Sequence, residues 1–241
     1  MKFYVRHWYS VNLFFLVVLG LILLLNGSSF NTIQILVILN LMALIIHQFE
    51  EYCFPGGEPA IMNIVLQNSD IPNRYPLNQF SAMFTNVFTA IIMYGIAIFF
   101  PNIMWLSLAP MLFNFGQFII HGIVTNKMMK TFYNPGLGAV VFLHLPISIY
   151  YFWYVNVNQL LSPTDWLFGI LFTILCAGFG VGIMTYILFA SRNSKWVFDD
   201  VEMARFHVQE KLKYKNIRLD NKGTVLPMKK IQEIQRKLHK E

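Results

Sequence analysis

The sequence predicts an all-α, polytopic membrane protein: six transmembrane helices, both termini cytoplasmic, and a basic, helical C-terminal tail. Three observations carry this. The chain has 241 residues, of which 56% are hydrophobic and only 12% charged, whereas a soluble domain carries about 25% charged residues. Six stretches are apolar enough, and long enough at roughly 20 residues, to cross a bilayer. The basic residues lie on one side of every chain tracing that uses all six.

The stretches fall at about 8–26, 30–50, 79–100, 103–122, 136–155 and 165–190. Each break has turn chemistry. Asn26-Gly27-Ser28-Ser29 separates the first two, Pro101-Asn102 the third and fourth, and Asn134-Pro135-Gly136 opens the fifth. The run from Val155 to Thr164 leads into the sixth. Residues 8–25 follow Lys2 and Arg6 as a signal peptide would. No small-x-small cleavage pattern follows, so an uncleaved first helix is expected. Pro110 and Pro146 lie inside spans and predict kinks. With the N-terminus inside, Lys2, Arg6, Arg74, Lys127, Lys130 and the 13 basic residues beyond position 190 all fall on the cytoplasmic side. Those are all 18 Lys and Arg of the chain, and five or seven spans would spoil the partition.

The expected organisation is a six-helix membrane domain over 1–190 and a basic cytoplasmic tail over 191–241. The tail has 13 basic and 7 acidic residues and carries the whole net charge of +6. Helical patches are expected near 195–214 and 227–240. Membrane lipids are the partner this charge favours, through the anionic inner leaflet; a solvated tail that only fixes topology fits as well. Nucleic acid is not expected, because acidic residues interleave with the basic ones. Cys53 and Cys176 are far apart and form no CxxC pair, so neither a disulfide framework nor a thiolate site is indicated. Gly178 and Gly182 have the GxxxG spacing of close helix packing. The loop 53–79 is long, and a short helix from Pro59 through Gln67 could act as a lid or as a plain connector.

The polar residues of the spans gather at one depth. His47, Glu50 and Glu51 end the second span, and positions i, i+3 and i+4 share a helix face. Asn40 lies two turns back. Asn114, Gln117 and His121 form a stripe toward the inner end of the fourth span. His144 lies about 12 Å into the fifth, at 1.5 Å per residue, and Asn86 is at a similar depth in the third. The outer half has almost nothing ionisable beyond Asp165. Ionisable groups in such a place are costly and mark function by default.

His47-Gln-Phe-Glu50-Glu51, the following Phe54-Pro55, and the later His121 with Tyr133-Asn134-Pro135-Gly136 together resemble the HXXEE family of integral membrane proteins. The resemblance covers roughly residues 40–155 and implies a family label without a mechanism.

Imidazole and carboxylate are good ligands for zinc and for non-haem iron or manganese. The expected metal site is His47, Glu50 and His121, with His144 near, and a divalent metal, zinc first. Glu51 is then the general base or a further ligand. A metal would also offset the cost of carboxylates in a low-dielectric region. The plainer alternatives are an interfacial hydrogen-bonded cap at His47 and Glu50, and packing histidines at His121 and His144. Other membrane-enzyme signatures are missing: no HExxH, no histidine boxes, no Gly-x-Ser-x-Gly. The Glu-Glu-x-x-x-Arg pattern of CAAX-type proteases breaks at Pro55. Three functions fit: a metal-dependent hydrolase acting on a membrane-soluble lipid, isoprenoid or peptide; a proton- or ion-coupled transporter or channel subunit; and a non-catalytic membrane partner protein. No inverted repeat supports the transporter.

Overall fold

The computed structural model describes residues 2–214. Six long apolar helices alternate in direction: α1 (Lys2–Ser29), α2 (Thr32–Tyr52), α3 (Gln79–Phe99), α4 (Met104–Met129), α5 (Leu137–Val157) and α6 (Pro163–Leu188). Each is long and apolar enough to cross a bilayer, so the chain is a multi-pass membrane protein. No strand occurs among the described residues. The helix starts follow local chemistry. Asn31 with Gln34, Asn78 with Ser81, and Ser162 with Asp165 form reciprocal capping boxes before α2, α3 and α6. Lys2 and Arg6 begin α1, and the connections carrying Arg74 and Lys130 lie at the same end of the bundle, called proximal here. The connections at the distal end carry no Lys or Arg.

Two apolar cores hold the bundle. The distal core joins Val37, Met93, Leu108, Met111 and Tyr151 from α2, α3, α4 and α5. There α4 and α6 approach closely: a Cβ added at Gly169 would sit 2.6 Å from the Leu108 side chain, and Thr173 donates to the Ala109 carbonyl at 3.3 Å. The proximal core joins Trp8 and Tyr52 to residues of the 53–78 connection and to Phe198, Met203, Val208 and Leu212. The first part of the tail is therefore docked. Gln79 N–H donates to the Trp196 carbonyl, Phe198 N–H to Asn73, and Arg205 to the carbonyl of Tyr52. Short helices Asp200–Ala204 and Val208–Tyr214 occupy the first expected tail patch; the patch near 227–240 lies outside the described residues.

The 53–79 connection is helical at Glu58–Ala60 and continues with wider, π-type winding over Ile61–Leu66. Pro146 is the second residue of the α-helical stretch that follows a similar wide turn, Val140–His144, while Pro110 lies inside a continuous helix. The close packing expected at Gly178 and Gly182 is not found. A Cβ at Gly178 would meet nothing within 4 Å, and one at Gly182 only the Ala177 carbonyl of its own helix at 3.6 Å. Gly180, between them, is the residue that faces α3, 3.1 Å from Thr89 Oγ1 by the same construction.

Candidate functional site

Between the two cores lies a belt of buried polar side chains. It is built from the last turns of α2. His47 and Glu51 are four residues apart and share a stripe, while Glu50 is rotated about 100° from Glu51 around the helix. That rotation separates the two glutamates completely. Glu50 turns to the start of α5. Its Oε1 accepts from Gly138 N–H at 3.0 Å and from the Tyr133 hydroxyl at 2.7 Å, and its Oε2 accepts from Ala139 N–H at 2.8 Å. A carboxylate is stabilised at a helix N-terminus, where amides lack partners and the dipole is positive. Burial, and donation to Glu50, push the Tyr133 hydroxyl above its ordinary pKa. A Cβ on Gly138 would come within 2.8 Å of Glu50 Oε1, so the glycine lets the carboxylate in.

Glu51 turns inward. Its Oε1 lies 3.3 Å from His47 Nε2 and 3.2 Å from His121 Nε2. All three residues are buried, and their ligand atoms lie within 4.8 Å of one another. His121 comes from the π-wound segment Ile119–Thr125 of α4, a winding often found at functional sites.

The histidine tautomers follow from the partners. His47 Nδ1 is 3.0 Å from the Gly136 carbonyl, which can only accept, so Nδ1 carries the proton. His121 Nδ1 is 2.8 Å from Asn134 Oδ1. The Asn134 amide nitrogen donates to the His121 carbonyl at 2.7 Å and to Asn126 Oδ1 at 2.8 Å, which fixes its oxygen toward the ring. Each neutral ring thus presents an Nε2 lone pair, and both face the same carboxylate oxygen. Gln117 Nε2, 3.4 Å from His47 Nε2, is placed to meet such a lone pair. Three acceptors around one point repel each other unless a proton or a metal cation joins them. Ligand atoms about 2.0–2.1 Å from zinc at tetrahedral angles stand about 3.3 Å apart, the spacing of Glu51 Oε1 from each ring. Nδ1–H donation to a carbonyl oxygen is also the usual outer support of a metal-bound histidine. Gly136 closes the arrangement. Its φ is +95°, and a Cβ there would lie 2.8 Å from Cε1 of both His47 and His121.

The group that the geometry brings together is therefore His47, Glu51 and His121. Glu50, expected as a ligand, stands outside it as the α5 cap, and Glu51, expected as the base or a further ligand, stands between the rings. His144 also stands outside. Its ring is edge-on to His47 with centroids 5.6 Å apart. Its Nδ1 donates to Asn40 Oδ1 at 2.7 Å, and its Nε2 is buried without a hydrogen-bond partner. Asn40 joins it to Asn114, which reaches Ser148 at 2.8 Å.

A cavity of about 610 Å³ opens beside the group, lined by Glu51 and His121. Glu58, from the short helix after α2, lies in the same wall, buried, with Oε2 unpartnered. Burial and the neighbouring Glu51 charge push its carboxyl well above the ordinary glutamate value. Sequence reasoning passed over Glu58, because a glutamate before Pro59 at a helix start reads as an ordinary first-turn acid. Asn134 was visible only as part of a turn.

No curated protein and no solved structure matches the chain. Residues 38–151, which contain His47, Glu50, Glu51, His121 and the 134–136 turn, match the model of the family described as "Protein of unknown function with HXXEE motif".

Proposed function

We propose that this protein is a metal-dependent membrane hydrolase whose ion is held by His47, Glu51 and His121. The observation that carries this is the pair of imidazoles held at Nδ1 by the Gly136 carbonyl and Asn134 Oδ1, which turns both Nε2 atoms and a carboxylate oxygen onto one buried point. A divalent ion there, zinc by ligand type, would supply Lewis acidity toward a carbonyl and lower the pKa of water. The chain's own residues supply the rest. Gly136 and Asn134 orient the rings. Glu58, which faces the same cavity with its Oε2 unpartnered, is placed to take a proton from water and hand it to a leaving group. In this reading Glu58 takes the proton-carrying role that the sequence suggested for Glu51. The buried belt keeps bulk water out, which strengthens each electrostatic contact.

Elemental analysis of protein purified without chelator tests the metal. Near-stoichiometric metal is expected, falling at least tenfold in His47→Ala, His121→Ala and Glu51→Gln. Glu58→Gln should keep the metal and lose at least a hundredfold in hydrolysis of a long-chain ester in micelles. Folded protein without metal would sink the reading. It would make the cluster an imidazolium–carboxylate group that holds protons, as an ion-coupled transporter requires.

A further inference from the structure

The cavity says which class of molecule reaches this site. It lies among α2, α3, α4, α6 and the Glu58–Leu66 turns, and its two carboxyl groups and its imidazole sit at one end. At the proximal end are Glu51, Glu58, Gln117 and His121. From there it rises between the proximal halves of α4 and α6, the helices that close on each other distally through Leu108 and Gly169. Its walls along α4 run from Val124 to Leu112, about 18 Å at 1.5 Å per residue. Apart from a few hydroxyls and amides, the upper walls are aliphatic and aromatic, as at Leu44, Leu112, Phe113 and Val181.

The rim is open in the middle of a membrane span. Gly116, Ile119 and Ile120 line the cavity and are exposed, Ile119 by 51% and Ile120 by 40%. A Cβ on Gly116 would meet nothing within 4 Å. At this depth the surroundings are hydrocarbon, so the opening admits lipid-soluble molecules sideways. Two hydroxyls deep in the cavity, Thr89 Oγ1 and Tyr94 OH, are buried and lack partners. Such a group left unpaired is costly, and a ligand or its accompanying water would relieve it. Among the described lining residues none is Lys or Arg, while two are carboxylic acids. The wall offers an anionic head group no cationic side chain.

We propose that the cavity is the binding site of a single-chain, uncharged lipid ester or amide. The molecule enters sideways from the proximal leaflet between α4 and α6, its polar head at Glu51 and His121 and its apolar chain reaching toward Leu112 and Tyr94. The substrate class rests on the hydrolase reading; the site and the orientation of the lipid do not.

Two diazirine-labelled monoacylglycerols in zwitterionic phosphatidylcholine vesicles test this, one carrying the label at the chain end and one beside the head. With the native protein, the chain-end probe should crosslink to peptides holding Leu112, Tyr94 or Thr173, and the head probe to those holding Glu58 or His121. Gly116→Trp and Val181→Trp, on opposite walls, should each lower crosslinking at least fivefold while metal content stays native. Labelling confined to outward residues such as Phe14 and Leu24 overturns the proposal, as does reversed order of the two probes. Metal-free protein that still crosslinks in the stated order would overturn the metal reading and leave the lipid site standing.

Discussion

The two halves of the bundle are built by opposite rules. In the distal half, side chains interlock tightly: Leu108 fills the notch at Gly169, and Ser107 hydrogen-bonds Tyr151 at 2.8 Å inside an apolar core. In the proximal half, α4 and α6 are parted by a cavity, and between the two apolar cores lie His47, Glu51, His121, His144 and Asn114, all buried. Lipid gives apolar side chains no reason to leave it, so helices in a membrane associate through close packing and polar contacts. The distal half relies mainly on packing, with isolated hydrogen bonds such as Ser107 to Tyr151. The proximal half uses a polar network whose geometry is fixed by backbone carbonyls and amides. A distal change should therefore cost stability and spare the site, and a change in the belt should do the reverse.

The largest contrast is expected between two glycines. At Gly136, alanine must adopt φ near +95° and set its Cβ 2.8 Å from two imidazole rings. Both rings would lose their place, and metal content should fall more than tenfold with helicity retained. At Gly169, the atoms nearest an alanine Cβ all belong to the Leu108 side chain, the first at 2.6 Å, which can move at an overpacking cost of about 1–3 kcal/mol. Gly169→Ala should lower the thermal midpoint in detergent and leave metal content unchanged. Equal metal loss in the two variants would erase the distinction between the halves.

This division was partly legible in the sequence. Six apolar stretches, polar breaks and one-sided basic residues gave the helices, because hydrocarbon thickness and turn chemistry act locally. The gathering of His47, His121, His144 and the glutamates at one depth was legible for the same reason, since depth is a count of residues along a helix. Direction around the helix was not. Whether Glu50 or Glu51 faces His121 depends on where α4 and α5 stand relative to α2, and i+3 and i+4 both share a face with His47. The tail's docking was hidden too, since Phe198, Met203, Val208 and Leu212 are too sparse to stand out among charged neighbours.

The adjacent glutamates sharpen the comparison at intermediate size. Glu51→Gln replaces a carboxylate between two ring nitrogens with a neutral amide and should cost most of the bound metal. Glu50→Gln removes a charge that caps α5 through two amides and the Tyr133 hydroxyl. A charge at a helix N-terminus contributes about 0.3–1 kcal/mol, up to about 2 when partly buried. Glu50→Gln should thus shift thermal unfolding by about that much and keep near-native metal. If Glu50→Gln loses metal as fully as Glu51→Gln, the two roles are not separate.

The smallest effect concerns the proximal end alone, where the first part of the tail is clamped by Glu202. Its carboxylate accepts from Gln79 Nε2 at 2.9 Å and from Asp199 N–H at 2.8 Å. Burial nevertheless outweighs these donors and holds the carboxyl above its ordinary value. Below about pH 4.3, the ordinary glutamate value, the group is protonated whether the segment is docked or not, and docking is at its strongest. As pH rises past that value, the undocked carboxyl loses its proton first, which favours release. Docking weakens until pH passes the raised docked value and is level beyond it. Glu202→Gln stays neutral and can still accept from Asp199, so it should remove this part of the pH dependence and slow tryptic cleavage after Arg205 near neutral pH. An unchanged pH profile of cleavage in Glu202→Gln would show that the clamp does not titrate, leaving the proximal core to hold the segment by packing, as the distal half holds its helices.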